Sequence, residues 1–279
     1  MSVAALLSSL VPQCLGYGFF RRALLAVVLV SPILSSLGCL VVESRMAFFS
    51  DAIGHAGLAG IALGAILGLA DPWLALVLFS CALALAMTLA RKSGSVPSDT
   101  AIGVFQSAAV ALGVVLLSRG GGFARFSRYL VGDILSISPS ELRHLALALA
   151  VFVPAWALLF NRVLLSSLGE TLARSREISP WRTQALFAVA TAVVLASCIQ
   201  WVGILVIQAM IVLPAAAARN LANSTASYAW LSVAIGLACG LVGLFASWSW
   251  STATGATIVL FAFAAFAASL LPRRLRTAR

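Results

Sequence analysis

The chain has 279 residues, of which 62% are hydrophobic and only 9% charged, with a mean hydropathy of +1.08. A water-facing globular surface is excluded, because soluble domains carry roughly 25% charged residues. The formal net charge of +10 is spread as short Arg and Lys clusters between apolar runs, which is the pattern of a membrane topology signal and not of a nucleic-acid surface.

Runs of roughly 17 to 22 apolar residues are long enough to cross a bilayer as helices. In chain order they cover residues 23–42, 52–70, 73–90, 101–118, 145–160, 184–200, 202–218, 228–247 and 253–271. The expectation is an all-α, polytopic transmembrane bundle of eight to nine spans, forming a single transmembrane domain over residues 1–279. The first twenty residues lack a basic leader, and Arg21-Arg22 follow the apolar part, so a cleaved signal peptide is not expected. The sixth and seventh runs meet at Gln200-Trp201-Val202-Gly203. Two short helices there can form a hairpin that does not fully cross twice, and such a break is tolerated at membrane depth only against protein or a wet cavity.

Orientation is read from the basic residues. With nine spans and a cytoplasmic C-terminus, 12 of the 18 Lys and Arg fall inside and six outside, the expected direction. Arg21 and Arg22 are among those outside and argue the other way. Five cysteines (Cys14, Cys39, Cys81, Cys198, Cys239) are scattered singly without metal-ligand spacing and read as small buried hydrophobes.

Two polar residues stand out inside the second run. Asp51 and His55 are four apart, so on a helix they lie on one face about 40° from each other. Either Asp51 caps its helix and His55 meets a backbone carbonyl, or the pair holds a ligand. An ionisable group at membrane depth is a functional hypothesis by default.

Elsewhere, Asp133 either caps a helix in the loop before the fifth run or lines an entrance. Ser138 or Ser140, ahead of Pro139 and Glu141, signals the start of the next helix. Gln200 and Gln208, two turns apart, share one face and either line a path or bond between helices. Pro214 removes a backbone hydrogen bond and is expected to kink its helix.

The loop over residues 163–182 places Leu168, Leu172 and Ala173 on one side and Glu170, Arg174 and Glu177 on another. That is a short amphipathic helix suited to a groove on a soluble partner. Gly120-Gly121-Gly122 lacks the Gly-Lys-Ser/Thr that a phosphate cradle needs.

Four ordered motifs carry a resemblance that spans nearly the whole chain. They are the run from Arg45-Met46 through Ser50-Asp51-Ala52 to His55-Ala56, then Gly132-Asp133-Ile134-Leu135, the run from Gly203-Ile204-Leu205 to Leu213-Pro214-Ala215-Ala216-Ala217-Ala218-Arg219, and Gly255-Ala256-Thr257-Ile258-Val259-Leu260. Together they resemble the ABC-3 family, the membrane permeases of bacterial zinc and manganese ABC importers.

The resemblance implies a type II importer-like bundle with alternating access, without enzymatic activity of its own. Asp51 and His55 would be transit ligands for Zn²⁺ or Mn²⁺, possible also for iron, and no cofactor is held permanently. Glu170, Leu172, Ala173, Arg174 and Ile178 would belong to a cytoplasmic coupling helix. The implied partners are a second permease copy or a paralogue, two cytoplasmic ATPase subunits that bind the ATP, and an extracytoplasmic metal-binding protein. The implied location is the bacterial inner membrane, with the C-terminus in the cytoplasm.

The sequence departs from the family pattern at Ala253-Thr254 before Gly255, at Ala217, and at Gly169, which leaves Glu170 without a paired acid. Two other readings compete: a cobalamin or siderophore permease, which has no need of an Asp/His pair, and a proton-coupled secondary metal transporter, which needs no ATPase.

Overall fold

In the bilayer every backbone polar group must be satisfied within the segment, so long apolar runs fold as helices. A computed structural model describes residues 14–69, 73–92, 98–119, 134–168, 175–177 and 179–277. It contains α1 (Gly18–Glu43), α2 (Ala47–Ile66), α3 (Trp73–Lys92), α4 (Ser98–Arg119), a short 3₁₀ turn (Ile134–Ser136), α5 (Pro139–Leu168), α6 (Pro180–Val202), α7 (Ile204–Leu221), α8 (Thr225–Trp250) and α9 (Thr254–Thr277). Eight of these helices are long and apolar enough to cross a membrane, and α5, bent by 53° between its Glu141–Pro154 and Trp156–Ser166 halves, makes a ninth. Each coincides with one expected run, so the all-α, eight-to-nine-span reading holds.

Local chemistry sets several helix ends. The Ser138 amide donates to Glu141 Oε2 at 2.7 Å, and the Glu141 amide donates to Ser138 Oγ at 3.3 Å. This reciprocal capping box makes Ser138, rather than Ser140, the start signal of α5. Pro180 stands in the first turn of α6 after Ser179, where its missing N–H costs no helix bond. At the head of α8, Ser224 Oγ accepts from the Ser227 amide.

The helices sort into two groups by their packing. One comprises α1, α7, α8 and α9; the other comprises α2, α3, α4 and α6; α5 touches both through α1 and α6. Small residues allow the close crossings. Gly236 of α8 sits on Ser35 and Pro214, Gly240 on Val27 and Ser31, and Gly113 of α4 on the Ala59 backbone. Such contacts are what hold membrane helices together in the absence of a hydrophobic driving force. Helix α7 runs without interruption through the buried Pro214, which packs at the α8 crossing, so the expected kink does not break the element.

One end of the bundle collects positive charge. A cavity of about 350 Å³ there is lined by Glu43, Arg45, Arg91, Ser166, Gln184 and Arg219, drawn from the ends of α1, α3, α5, α6 and α7. Arg219 pairs with Glu43 at 3.2 Å. Asn220 donates to Ser269 Oγ at 3.0 Å, so α9 ends on the same side. At the opposite end Tyr17, Phe19, Phe20, Phe245 and Trp248 form an aromatic cluster. Arg22 lies at that end too, and its Nε donates to the Ile137 carbonyl at 2.9 Å. This bond gives Arg22 a structural role on the less basic side, against the pull of the charge rule.

The break between α6 and α7 is a single residue. Gly203 has φ +82° and ψ 155°, a backbone region that is essentially glycine-only. Flanking residues Ile199 and Ile204 press on Gly57 and Gly54 in the middle of α2, so the break points into the bundle as expected. Helices α6 and α7 are nevertheless each long and apolar enough to cross a membrane separately, without forming a partial hairpin. Gln200 and Gln208 therefore sit on different helices and do not share a face. Substituting Gly203→Ala is expected to cost about 1–3 kcal/mol through backbone strain, read as a lower melting temperature of the purified chain; unchanged melting would show that the break tolerates a side chain.

Candidate metal-transit site

Asp51 and His55 lie in the first half of α2, about 6 and 12 Å from its start at 1.5 Å per residue. The helix begins at Ala47 after Met46, which makes no side-chain cap bond. Asp51 is thus past the first turn and is not its cap. Nor, among the described residues, does His55 meet a backbone carbonyl. Its Nε2 stands 3.2 Å from Asp51 Oδ1, with Asp51 17% exposed and His55 38% exposed. The carboxylate has a further partner that the sequence reading did not single out: Gln106 of α4 donates from Nε2 to Asp51 Oδ2 at 2.9 Å.

The site forms because three helices approach closely. Gly54, beside His55, takes Ile204 of α7 where a methyl group would stand 2.8 Å from Ile204 Cγ2. Gly113 lets α4 lie against Ala59, where an added Cβ would be 3.0 Å from the Ala59 amide nitrogen. That contact fixes the register in which Gln106 meets Asp51, two turns nearer the basic end. One spatial signal was open to sequence reading: Gln106 is the one amide side chain in its apolar run.

The spacing suits an ion. With bonds of about 2.1 Å to each atom, a cation shared by Oδ1 and Nε2 would see them at about 100°, between tetrahedral and octahedral angles. Nε2 must then offer its lone pair, so the ion replaces the proton of the Asp51–His55 contact and a neutral imidazole keeps its proton on Nδ1. Among the described residues no group of three or more His, Cys, Asp or Glu side chains is placed to hold a metal. One carboxylate and one imidazole alone could hold a divalent ion only weakly.

Of the remaining candidates, Gln208 is half-buried and Pro214 buried, both on α7. The backbone of Gln200 ends α6, and its side chain lies outside the described residues. So do Asp133, Glu170, Leu172, Ala173, Arg174 and Ile178. All five cysteines are free thiols; four are buried and Cys81 is partly so, as small hydrophobes would be.

Residues 16–273 match the ABC 3 transport family. The chain belongs to that family. It is 32% identical over 258 residues to the manganese transport system membrane protein MntC of Halalkalibacterium halodurans, covering 91% of this chain and 87% of the relative. It is 28% identical over 256 residues to the high-affinity zinc uptake system membrane protein ZnuB of Haemophilus influenzae, covering 90% and 96%. Among solved structures, PsaBC from Streptococcus pneumoniae in complex with Fab superposes with a TM-score of 0.82 at 30% identity, over 94% of this chain and 95% of that one. The fit extends over 94% of this chain, so the bundle of this ABC 3 permease shares the architecture of that relative.

Proposed function

We propose that this ABC 3 permease is the membrane subunit of an ATP-driven importer of divalent transition-metal ions, manganese or zinc, by alternating access around Asp51 and His55. The observation that carries the reading is the contact between an ionisable pair at membrane depth, spaced to share one cation. The manganese and zinc transport by MntC and ZnuB, to which this chain is similar, supports the cargo. ATP is hydrolysed on a separate subunit.

The exposure of His55 supports a second permease copy. An imidazole opening onto lipid in mid-span is costly, and a two-fold partner that covers this face would bring its own pair to the same place. Four groups, or two and water, then hold the ion loosely enough to release it, as conduction requires.

The basic end faces the cytoplasm in this reading, with the C-terminus inside a bacterial inner membrane. Within residues 163–182, whose ends are the last turns of α5 to Leu168 and the start of α6 at Pro180 and so not loop as expected, Glu170, Leu172, Ala173, Arg174 and Ile178 supply the dock for the ATPase. Asp133 serves at the outer entrance, where an extracytoplasmic binding protein delivers the ion. Gln200, Gln208 and Pro214 belong to the break and the helix that shape the path.

Reconstitution tests the reading. Proteoliposomes holding the permease, its ATPase and the binding protein are expected to accumulate ⁵⁴Mn or ⁶⁵Zn only with ATP. Accumulation by the permease alone under a pH gradient would establish a proton-coupled transporter instead, and uptake of a metal chelate in preference to the bare ion would establish a chelate permease.

A further inference from the structure

The Asp51 carboxylate is held at both oxygens. Oδ1 faces His55 Nε2 at 3.2 Å, and Oδ2 accepts from Gln106 Nε2 at 2.9 Å. Only the amide nitrogen of a glutamine can pair with an ionised carboxylate, since the amide oxygen is an acceptor as well. Gln106 therefore presents its NH₂ to Asp51. Its reach is fixed by the close α2–α4 crossing at Gly113 and Ala59.

We infer that Gln106 is a positioning residue that sets metal preference by keeping Asp51 monodentate. This rests on the transit-site reading of Asp51 and His55. An ion that enters between Oδ1 and Nε2 meets a carboxylate whose other oxygen is already engaged. The ion gains one carboxylate oxygen instead of two, so its coordination number from the protein stays low.

Zinc is content with four ligands including imidazole, whereas manganese favours sites richer in carboxylate oxygen and water. A carboxylate locked in the monodentate mode thus tilts the site toward zinc relative to what the same Asp/His pair would show if Oδ2 were free. The amide also fixes the rotamer of Asp51, the role that outer-shell partners of metal ligands commonly fill. Loss of the amide donor lets the carboxylate swing and chelate.

The test measures binding directly. Full-length chain in lipid nanodiscs is titrated with Mn²⁺, followed by loss of the free-ion EPR signal, and Zn²⁺ is measured by competition. Wild type is compared with Gln106→Met, Gln106→Ala and Asp51→Ala. Methionine matches glutamine in length and removes only the donor, so Gln106→Met and Gln106→Ala are both expected to lower the Zn²⁺-over-Mn²⁺ preference by about tenfold or more. A wild-type ratio in Gln106→Met, with a change only in Gln106→Ala, would assign Gln106 to packing and overturn the inference. The aspartate variant separates the two levels. If Asp51→Ala loses both ions while Gln106→Met keeps the wild-type ratio, the Gln106 inference fails alone; if Asp51→Ala binds both ions like wild type, the transit site itself is misplaced.

Discussion

Replacing Asp51 with alanine is expected to reduce ATP-dependent ⁵⁴Mn and ⁶⁵Zn uptake by on the order of a hundredfold or more, since loss of an outer-shell partner alone costs 10–100-fold at metal sites. His55→Ala should act in the same direction. The reason is geometric. One side chain supplies the oxygen and the other the nitrogen of a pair only 3.2 Å apart, and neither has a substitute among the described residues.

The fold should survive both changes. Asp51 makes no cap, and its partners are His55 and Gln106. Removing the carboxylate leaves Gln106 half-buried with one donor to re-pair, a cost of about 1–3 kcal/mol at most. The measurement is uptake per assembled complex, alongside melting temperature. Asp51→Asn sharpens it: the amide retains shape and hydrogen bonding but binds a divalent cation poorly, so it should match alanine in uptake and wild type in melting. Wild-type uptake by Asp51→Asn would mean that the carboxylate orders the helix instead of holding cargo.

The span pattern was legible because bilayer thickness and hydropathy act locally, on each run of twenty residues. Among the described residues each of the nine runs falls on one helix. The ends were less legible because a helix does not stop where lipid does. The fifth run, 145–160, became a helix from Pro139 to Leu168: the Ser138–Glu141 capping box starts it before the apolar stretch, and beyond Pro154, where it bends by 53°, it runs on past the apolar stretch.

The candidate site was half legible. Asp51 and His55 are four apart in sequence, and helical periodicity alone brings them together. Gln106 is 55 residues from Asp51, and no periodicity links them; only the α2–α4 crossing does. The same limit applies to Gln200 and Gln208. Their spacing implies one face if a single helix continues, and Gly203 ends that helix between them. A glycine in an apolar run does not announce whether it will serve as a close contact or as a break.

Glycines at backbone-to-backbone crossings set the second large effect. Gly38→Ala is expected to destabilise the bundle by about 3 kcal/mol, the upper part of the usual range for overpacking. A Cβ at Gly38 would run into the carbonyl oxygen of Ile211 and stand 2.8 Å from its carbonyl carbon. The obstacle is main chain, so no rotamer change relieves it, and α1 and α7 must separate. Separation would loosen Leu34 and Leu37 of α1 and Met210 and Ile211 of α7, all buried. It would also draw α7 away from Gly54, which lies beside His55. Uptake should therefore fall together with stability.

Gly103→Ala is the matched control, because nothing lies within 4 Å of the added methyl; in mid-helix the change to alanine should raise stability, by up to about 1 kcal/mol. Thermal melting of the two variants in the same detergent gives opposite signs if crossing distance decides the outcome. Equal shifts would mean that α1 and α7 are not in backbone contact at Gly38, and the path by which α7 supports the Asp51–His55 site would then have to run through Gly54 and Ile204 alone.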